Sequence, residues 1–312
     1  MQNKNYLYNN YLNMARNLRT ENNLLKALHF YNKAYKLEIG KSDIELLIDM
    51  ALIYDELGLK KDAEDKYLEV IDLDQYDARA YYGLAIIYDE NDELGKAKKY
   101  YEKAIEINPN YDKAYFFLAN IYDQWNDEEN AIKNYKKAIE INPNELWAYA
   151  NLSCIYEEKN ENKEALKYID KALEIDRVHY KLLFNKGVIL KKLNHIDESK
   201  KYYEKAIEIN PQYPYSYLNL AVIYKEDKMY EKAIEIFNEG IKENESRGFL
   251  YYNRACCYVH INELLKAFYD VKKSIELNDL FFEYMKKDEE LNVIRDLKEY
   301  REYMKYYEKN IN

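Results

Sequence analysis

The chain has 312 residues, of which 33% are charged and 48% hydrophobic, and its net charge is −10. That charge repels a phosphate backbone, and no run of five or more basic residues reverses it, so nucleic acid is not an expected partner. With 7 glycines, 4 prolines and no strand-like alternation a β-rich fold is excluded, and no apolar stretch of about 18 residues offers a membrane insertion segment.

Residues 1–7 form a short leader without the apolar run of a secretory signal, and the cytoplasm is the expected location. From there the chain repeats itself every 34 residues, in blocks at 8–41, 44–77, 78–111, 112–145, 146–179, 180–213, 214–247 and 248–281, with Ser42 and Asp43 as the one offset. A period of this size marks a solenoid, in which each unit buries its apolar face against its neighbours. The eighth place is small throughout (Ala15, Ala51, Ala85, Ala119, Ser153, Gly187, Ala221, Ala255), and so is the twentieth (Ala27, Ala63, Ala97, Ala131, Ala165, Ser199, Ala233, Ala267). Two helices can cross closely at such points. Tyr81, Leu84, Ala85 and Tyr88 form an apolar stripe at i, i+3, i+4, i+7, and Ala97, Tyr101 and Ala104 form a second, separated by the turn signal Asn91-Asp92. Each block therefore reads as a helical hairpin, with Pro109, Pro143 and Pro211 following the second helix. Residues 282–312, with Phe282, Met285, Leu291, Val293, Ile294, Leu297, Tyr300 and Met304, are expected to cap the last hairpin.

This pattern of Tyr, Leu-Ala, Tyr, Ala, Tyr, Ala and Pro, clearest at 78–111 and 112–145, resembles the tetratricopeptide repeat family. The resemblance implies an all-α, right-handed superhelical solenoid of antiparallel hairpins with a C-terminal capping helix. The block at 180–213 departs most, with Leu183, Lys186, Leu190 and Ser199 in places usually held by an aromatic, Leu, Tyr and Ala. It is expected to be the least regular hairpin and a natural hinge.

Catalytic chemistry finds no footing in this arrangement, and no enzyme is expected. Gly40-Lys41-Ser42 looks like the end of a phosphate loop, but Tyr35 stands where its first glycine belongs. His29, His179, His195 and His260 lie in different blocks, and Cys154, Cys256 and Cys257 make no ligand spacing, so neither a metal nor a cofactor is expected. Of the 37 tyrosines, 17 recur at the fourth, eleventh and twenty-fourth places, which favours packing over base stacking.

The resemblance implies that the first helix of each hairpin lines a concave groove, with the second, fifth, sixth, ninth, twelfth and thirteenth places facing a ligand. The fifth reads Leu12, Ile48, Tyr82, Phe116, Ala150, Phe184, Leu218 and Tyr252, an apolar strip in an open groove or packing against the preceding hairpin. The sixth carries Asn151, Asn185, Asn219 and Asn253 in four successive blocks. Such amides can pair with an extended peptide main chain, and the row resembles the asparagine ladder of O-GlcNAc transferase repeats, failing at Asp49, Gly83 and Phe117. The twelfth and thirteenth places begin acidic, with Asp55, Glu56, Asp89, Glu90, Asp123, Glu157 and Glu158, and then turn basic at Lys191 and Lys192. That acidity favours a basic ligand or serves solubility alone. The clamp for acidic tails that some members of the family carry, Lys at the fifth place and Asn at the ninth, is missing, since Asn120 follows Phe116. The expected function is a non-enzymatic adaptor that binds an extended peptide or partner helix in the groove. A ligand-responsive regulatory subunit, or an accessory subunit of a separately encoded enzyme such as a glycosyltransferase, is the alternative. Neither the partner protein nor the oligomeric state follows from the residues.

Overall fold

The computed structural model describes residues 2–311, with side chains from residue 5 to residue 307. It is all-α, and it divides into two compact units, up to Ala148 and from Tyr149. In the first unit α1 (Gln2–Thr20) packs on α2 (Leu24–Tyr35), α3 (Ile44–Glu56) on α4 (Lys60–Leu73), α5 (Ala78–Glu90) on α6 (Leu94–Ile107) and α7 (Asp112–Gln124) on α8 (Glu128–Ile141). The boundary falls inside α9 (Leu146–Glu158). The second unit continues with α10 (Asn162–Ile175), the pair α11 (Tyr180–Lys192) and α12 (Ile196–Ile209), the pair α13 (Pro214–Glu226) and α14 (Tyr230–Glu243), and the pair α15 (Gly248–His260) and α16 (Leu264–Leu277). Then come α17 (Leu280–Lys287), a 3-10 segment at Glu289–Asp296 and α18 (Lys298–Ile311). No helix among the described residues is long and apolar enough to cross a membrane.

Small residues set the helix crossings. Ala51, Ala63, Ala85, Ala97, Ala119 and Ala131 have no solvent exposure, as close backbone approach requires. Serine is accepted at these points because its hydroxyl reaches the facing helix. Ser153 Oγ donates to the Ala165 carbonyl at 2.9 Å and Ser199 Oγ to the Gly187 carbonyl at 2.7 Å, so neither buried serine hydroxyl is left unpaired. The rings beside them are the most deeply buried large side chains: Tyr31, Tyr101, Tyr135 and Tyr203 are wholly enclosed. Most tyrosines of the fourth and eleventh places are only half-buried, and they pack ring on ring along the hairpin flank. Tyr88 stacks on Tyr100 at 5.4 Å and Tyr156 on Tyr168 at 5.3 Å.

The turn inside each hairpin has one geometry. Asn22, Gly58, Asp92, Asn126, Asn160, Asn194, Lys228 and Asn262 all adopt positive φ, and the next residue's N–H returns to the carbonyl five residues back, as in Glu93 to Tyr88 at 2.8 Å and Met229 to Tyr224 at 2.8 Å. That is the left-handed C-terminal cap, which glycine and asparagine adopt at least cost. The two-residue offset at Ser42 and Asp43 is absorbed by a 3-10 turn at Glu38–Ser42, where Gly40 presses on the Ala34 carbonyl and leaves no room for a Cβ.

The irregular block does not behave as its sequence suggests. Helices α11 and α12 have 13 and 14 residues, as do α5 and α6. Lys186 does not leave an unpaired charge, because its ammonium lies 2.7 Å from Asp170 and 4.4 Å above the Tyr202 ring. Leu190 is buried in the tyrosine's place. Both departures are thus accommodated in the packing of the block.

At the C-terminal end Phe282, Met285, Leu291, Ile294 and Tyr300 are buried with Phe268, Val271 and Ile275. Val293, expected to join them, is 47% exposed, because the 3-10 segment turns it outward between Leu291 and Ile294. Both tryptophans, Trp125 and Trp147, lie in the first unit, 44% and 42% exposed.

Candidate functional site

First helices of neighbouring hairpins touch directly, α3 with α5 and α13 with α15, so the sixth places fall on one surface within each unit. Asn185 reaches from α11 to α9, where its amide donates to Cys154 Sγ at 3.5 Å. Asn219 and Asn253 turn their amides back to carbonyls one turn earlier, Tyr215 at 2.9 Å and Phe249 at 2.8 Å. This orients each Oδ1 away from its own backbone. Asn151 is half-buried on α9. Beside Asn185, between α9 and α11, lies a cavity of about 150 Å³ lined by Ser153, Cys154, Glu157, Phe184, Asn185 and Val188.

The fifth-place residues do not form an open strip. Leu12, Ile48 and Ala150 are buried. The rings turn toward their own second helix and the connector that follows it, not toward the preceding hairpin. Tyr82 lies 5.9 Å from Tyr101 and 4.8 Å from Tyr111; Phe184 lies 5.7 Å from Tyr203 and 5.2 Å from Tyr213. Phe116 meets Tyr135, Tyr252 stacks on Phe281, and Leu218 is partly buried in the α13–α14 core. Burial pushes the Tyr82 hydroxyl well above its ordinary pKa, with neighbouring Tyr111 adding, so it stays a neutral donor. An exposed aromatic patch does exist at second places: Tyr215 is 47% exposed and lies 5.4 Å from both Tyr213 and Phe249.

The acidic run is largely neutralised from within the protein. Lys60 bonds Asp55 at 2.6 Å and also reaches Glu90 on the next hairpin, while Arg19 bonds Glu56 at 2.6 Å. Asp89 accepts from the Tyr101 hydroxyl at 3.1 Å, and burial raises its pKa. Glu157 pairs with Lys192, Glu158 is exposed and Asp123 half-buried. Lys60 to Asp55 and Tyr101 to Asp89 are contacts within one hairpin, whereas Lys60 to Glu90, Arg19 to Glu56 and Lys192 to Glu157 join neighbouring hairpins about one period apart in sequence.

A further polar cluster joins α13 and α15 to the 3-10 segment. Lys225 Nζ lies 2.7 Å from Glu290, His260 Nε2 lies 2.6 Å from the other oxygen of that carboxylate, and the Tyr252 hydroxyl donates to Asp288 at 2.7 Å. Burial alone would push Glu290 up, but the bond and charge of Lys225, with His260 and Cys256 adding, outweigh it and hold the carboxyl below its ordinary value. Cys256, Asp288 and Glu290 bring ligand atoms within 4.8 Å of one another. Both carboxylates already hold protein donors, however, and burial pushes the Cys256 thiol far up.

Family models described as Tetratricopeptide repeat match residues 78–111, residues 112–145 and 180–213, and residues 134–167 and 202–235. The chain belongs to the tetratricopeptide repeat family. Among solved structures it is similar to that of MamA, with 32% identity over 52% of this chain and 94% of that one, at a TM-score of 0.47. It is also similar to YrrB, a TPR protein with an unusual peptide-binding site, with 22% identity over 60% of this chain and 95% of that one, at 0.51. PilF of Pseudomonas aeruginosa shares 15% identity over 73% of this chain and 99% of that one, at 0.59. At such identities YrrB and PilF show the fold alone. No curated protein matches the chain.

Proposed function

We propose that the protein is a non-enzymatic interaction scaffold, and that the first-helix face of its second unit binds an extended segment of a partner protein. The observation that carries this reading is the cavity between α9 and α11 with the Asn185 amide at its edge. A cavity of about 150 Å³ suits one small apolar side chain. Asn185, Asn219 and Asn253 then supply donors and acceptors to the segment's main chain, largely independently of its sequence. Exposed Tyr215 and half-buried Phe249 add aromatic surface at the first turns of α13 and α15. YrrB, similar in fold, is described by a peptide-binding site, which accords with this use of the fold. The acidic places contribute little charge selection, because Lys60, Arg19 and Lys192 already engage them.

Selection of peptides from a random display library on the full-length chain tests the proposal. Each amide bond is worth about 0.5–1.5 kcal/mol net, so Asn185→Ala with Asn219→Ala is expected to weaken the selected peptides roughly tenfold at unchanged melting temperature. Val188→Trp, which fills the cavity, is expected to do the same. Peptides that bind all variants equally would refute the placement of the site.

A further inference from the structure

We propose that the surface formed by Lys225, Tyr252 and His260 is a binding site for an acidic segment with carboxylates two residues apart, and that the turn Asp288–Glu290 occupies it in cis. The proposal rests on the reading of the first-helix face as a ligand surface, of which this is the C-terminal end.

The site is shaped by groups other than its occupant. The His260 ring is stacked on Tyr230 at 4.3 Å, and the Tyr252 ring on Phe281 at 5.3 Å. Lys225 projects from α13 with its side chain 23% exposed, so without a carboxylate opposite it the ammonium would be partly desolvated and unpaired. All three groups can donate, and together they present a cation, a hydroxyl and an imidazole to two carboxylates. The occupant is equally distinct from the cap that carries it. Leu291 and Ile294 are buried with Met285 and hold the 3-10 segment against the last hairpin. Arg295 ties the same segment to the end of α17 by donating to the carbonyls of Met285 and Lys286 at 3.1 and 2.8 Å. An apolar cap needs neither Asp288 nor Glu290. Both nevertheless turn onto α13 and α15, and the Glu290 contact spans 65 residues of sequence. Asp288 also accepts from the Glu290 N–H at 2.9 Å, which fixes the spacing of the two carboxylates. A partner segment with the same spacing meets the same donors and must displace this turn.

The test uses the full-length chain and a fluorescein-labelled peptide of residues 286–296. The variant Asp288→Asn with Glu290→Gln keeps Leu291, Ile294 and Arg295. It is expected to bind the peptide at least about tenfold more tightly than the wild type, and Lys225→Gln added to it is expected to abolish that binding. Hydrogen exchange supplies a second reading: amides of 288–291 are expected to exchange at least about tenfold faster in the double variant and in Lys225→Gln alone, with α15 unchanged. Absence of Lys225-dependent peptide binding by the double variant, or equal binding by the wild type, overturns the proposal. Unchanged exchange overturns it too, since Leu291 and Ile294 would then hold the turn unaided. Neither result touches the role assigned to Asn185 and Asn219, which take no part in this site.

Discussion

Replacing Lys228 with glycine is expected to stabilise the hairpin of α13 and α14, although the substitution removes a side chain and adds no contact. Lys228 has φ of 60° and is exposed. Its N–H reaches the Lys225 carbonyl at 2.9 Å, so the left-handed conformation is imposed by the cap. Holding an ordinary L residue there costs roughly 1–2 kcal/mol, while glycine forfeits about 0.5–1 kcal/mol through its freer unfolded chain. The difference is a gain of roughly 0.5–1 kcal/mol, or a two- to fivefold slowing of local opening. Gly58 provides the mirror image, since at φ of 74° it occupies the equivalent turn of α3 and α4 and a Cβ there would meet no atom within 4 Å. Gly58→Ala should therefore lose a similar amount for purely conformational reasons. Hydrogen exchange of amides 224–232 and of 54–62, read separately, checks both substitutions. Unchanged or faster exchange on Lys228→Gly would refute the claim that backbone strain, and not side-chain chemistry, sets the residue preference of these turns.

Gly83→Ala gains about 1 kcal/mol of helix propensity, but its Cβ would overlap the buried Tyr67 ring. Overpacking of this kind costs about 1–3 kcal/mol, so denaturant titration should show a net loss that reverses in a Tyr67→Ala background. Arg254→Met strands the Asp270 carboxylate, which the guanidinium holds by two bonds of 2.7 Å at 10% side-chain exposure, and should cost about 3–5 kcal/mol; adding Asp270→Leu should restore most of it in the same titration. Asp77 is a group whose pKa the fold lowers: burial would raise it, but the Arg79 side chain and backbone N–H outweigh that. Its contribution is thus present above the ordinary carboxylate pKa and disappears as pH falls through the lowered value. Asp77→Asn, which retains an N-cap, should flatten that part of the melting-temperature profile at acid pH.

The fold was legible because its cause is local. A helix buries the residues that return every three or four positions, so the small eighth and twentieth places and Tyr101 or Tyr135 can be read without knowing any neighbour. The site was legible only in outline. Asn219 and Asn253 stand on the expected surface, but the resting place of their amides depends on rotamers that no period encodes. The Lys60 contact with Glu90, and that of Lys225 with Glu290, join side chains whose register is set by stacking, so an acidic stripe in sequence became a paired one in space. Val293 was assigned to the wrong face for a related reason, since it lies in a 3-10 segment, where helix periodicity misassigns faces. The aromatic patch joins Tyr215 and Phe249, second-place residues of two hairpins, to Tyr213 of a connector, a combination that no single block displays.

The placement of Trp125 and Trp147 has an optical consequence. Excitation near the red edge of protein absorption addresses only these two indoles, both in the first unit, whereas circular dichroism samples every helix. In an array whose cooperative unit is smaller than the chain, the two signals need not share a midpoint. Emission would stay silent while α15 to α18 unravel, and an ellipticity change preceding any emission change would record the loss of helices remote from both indoles without a label being introduced.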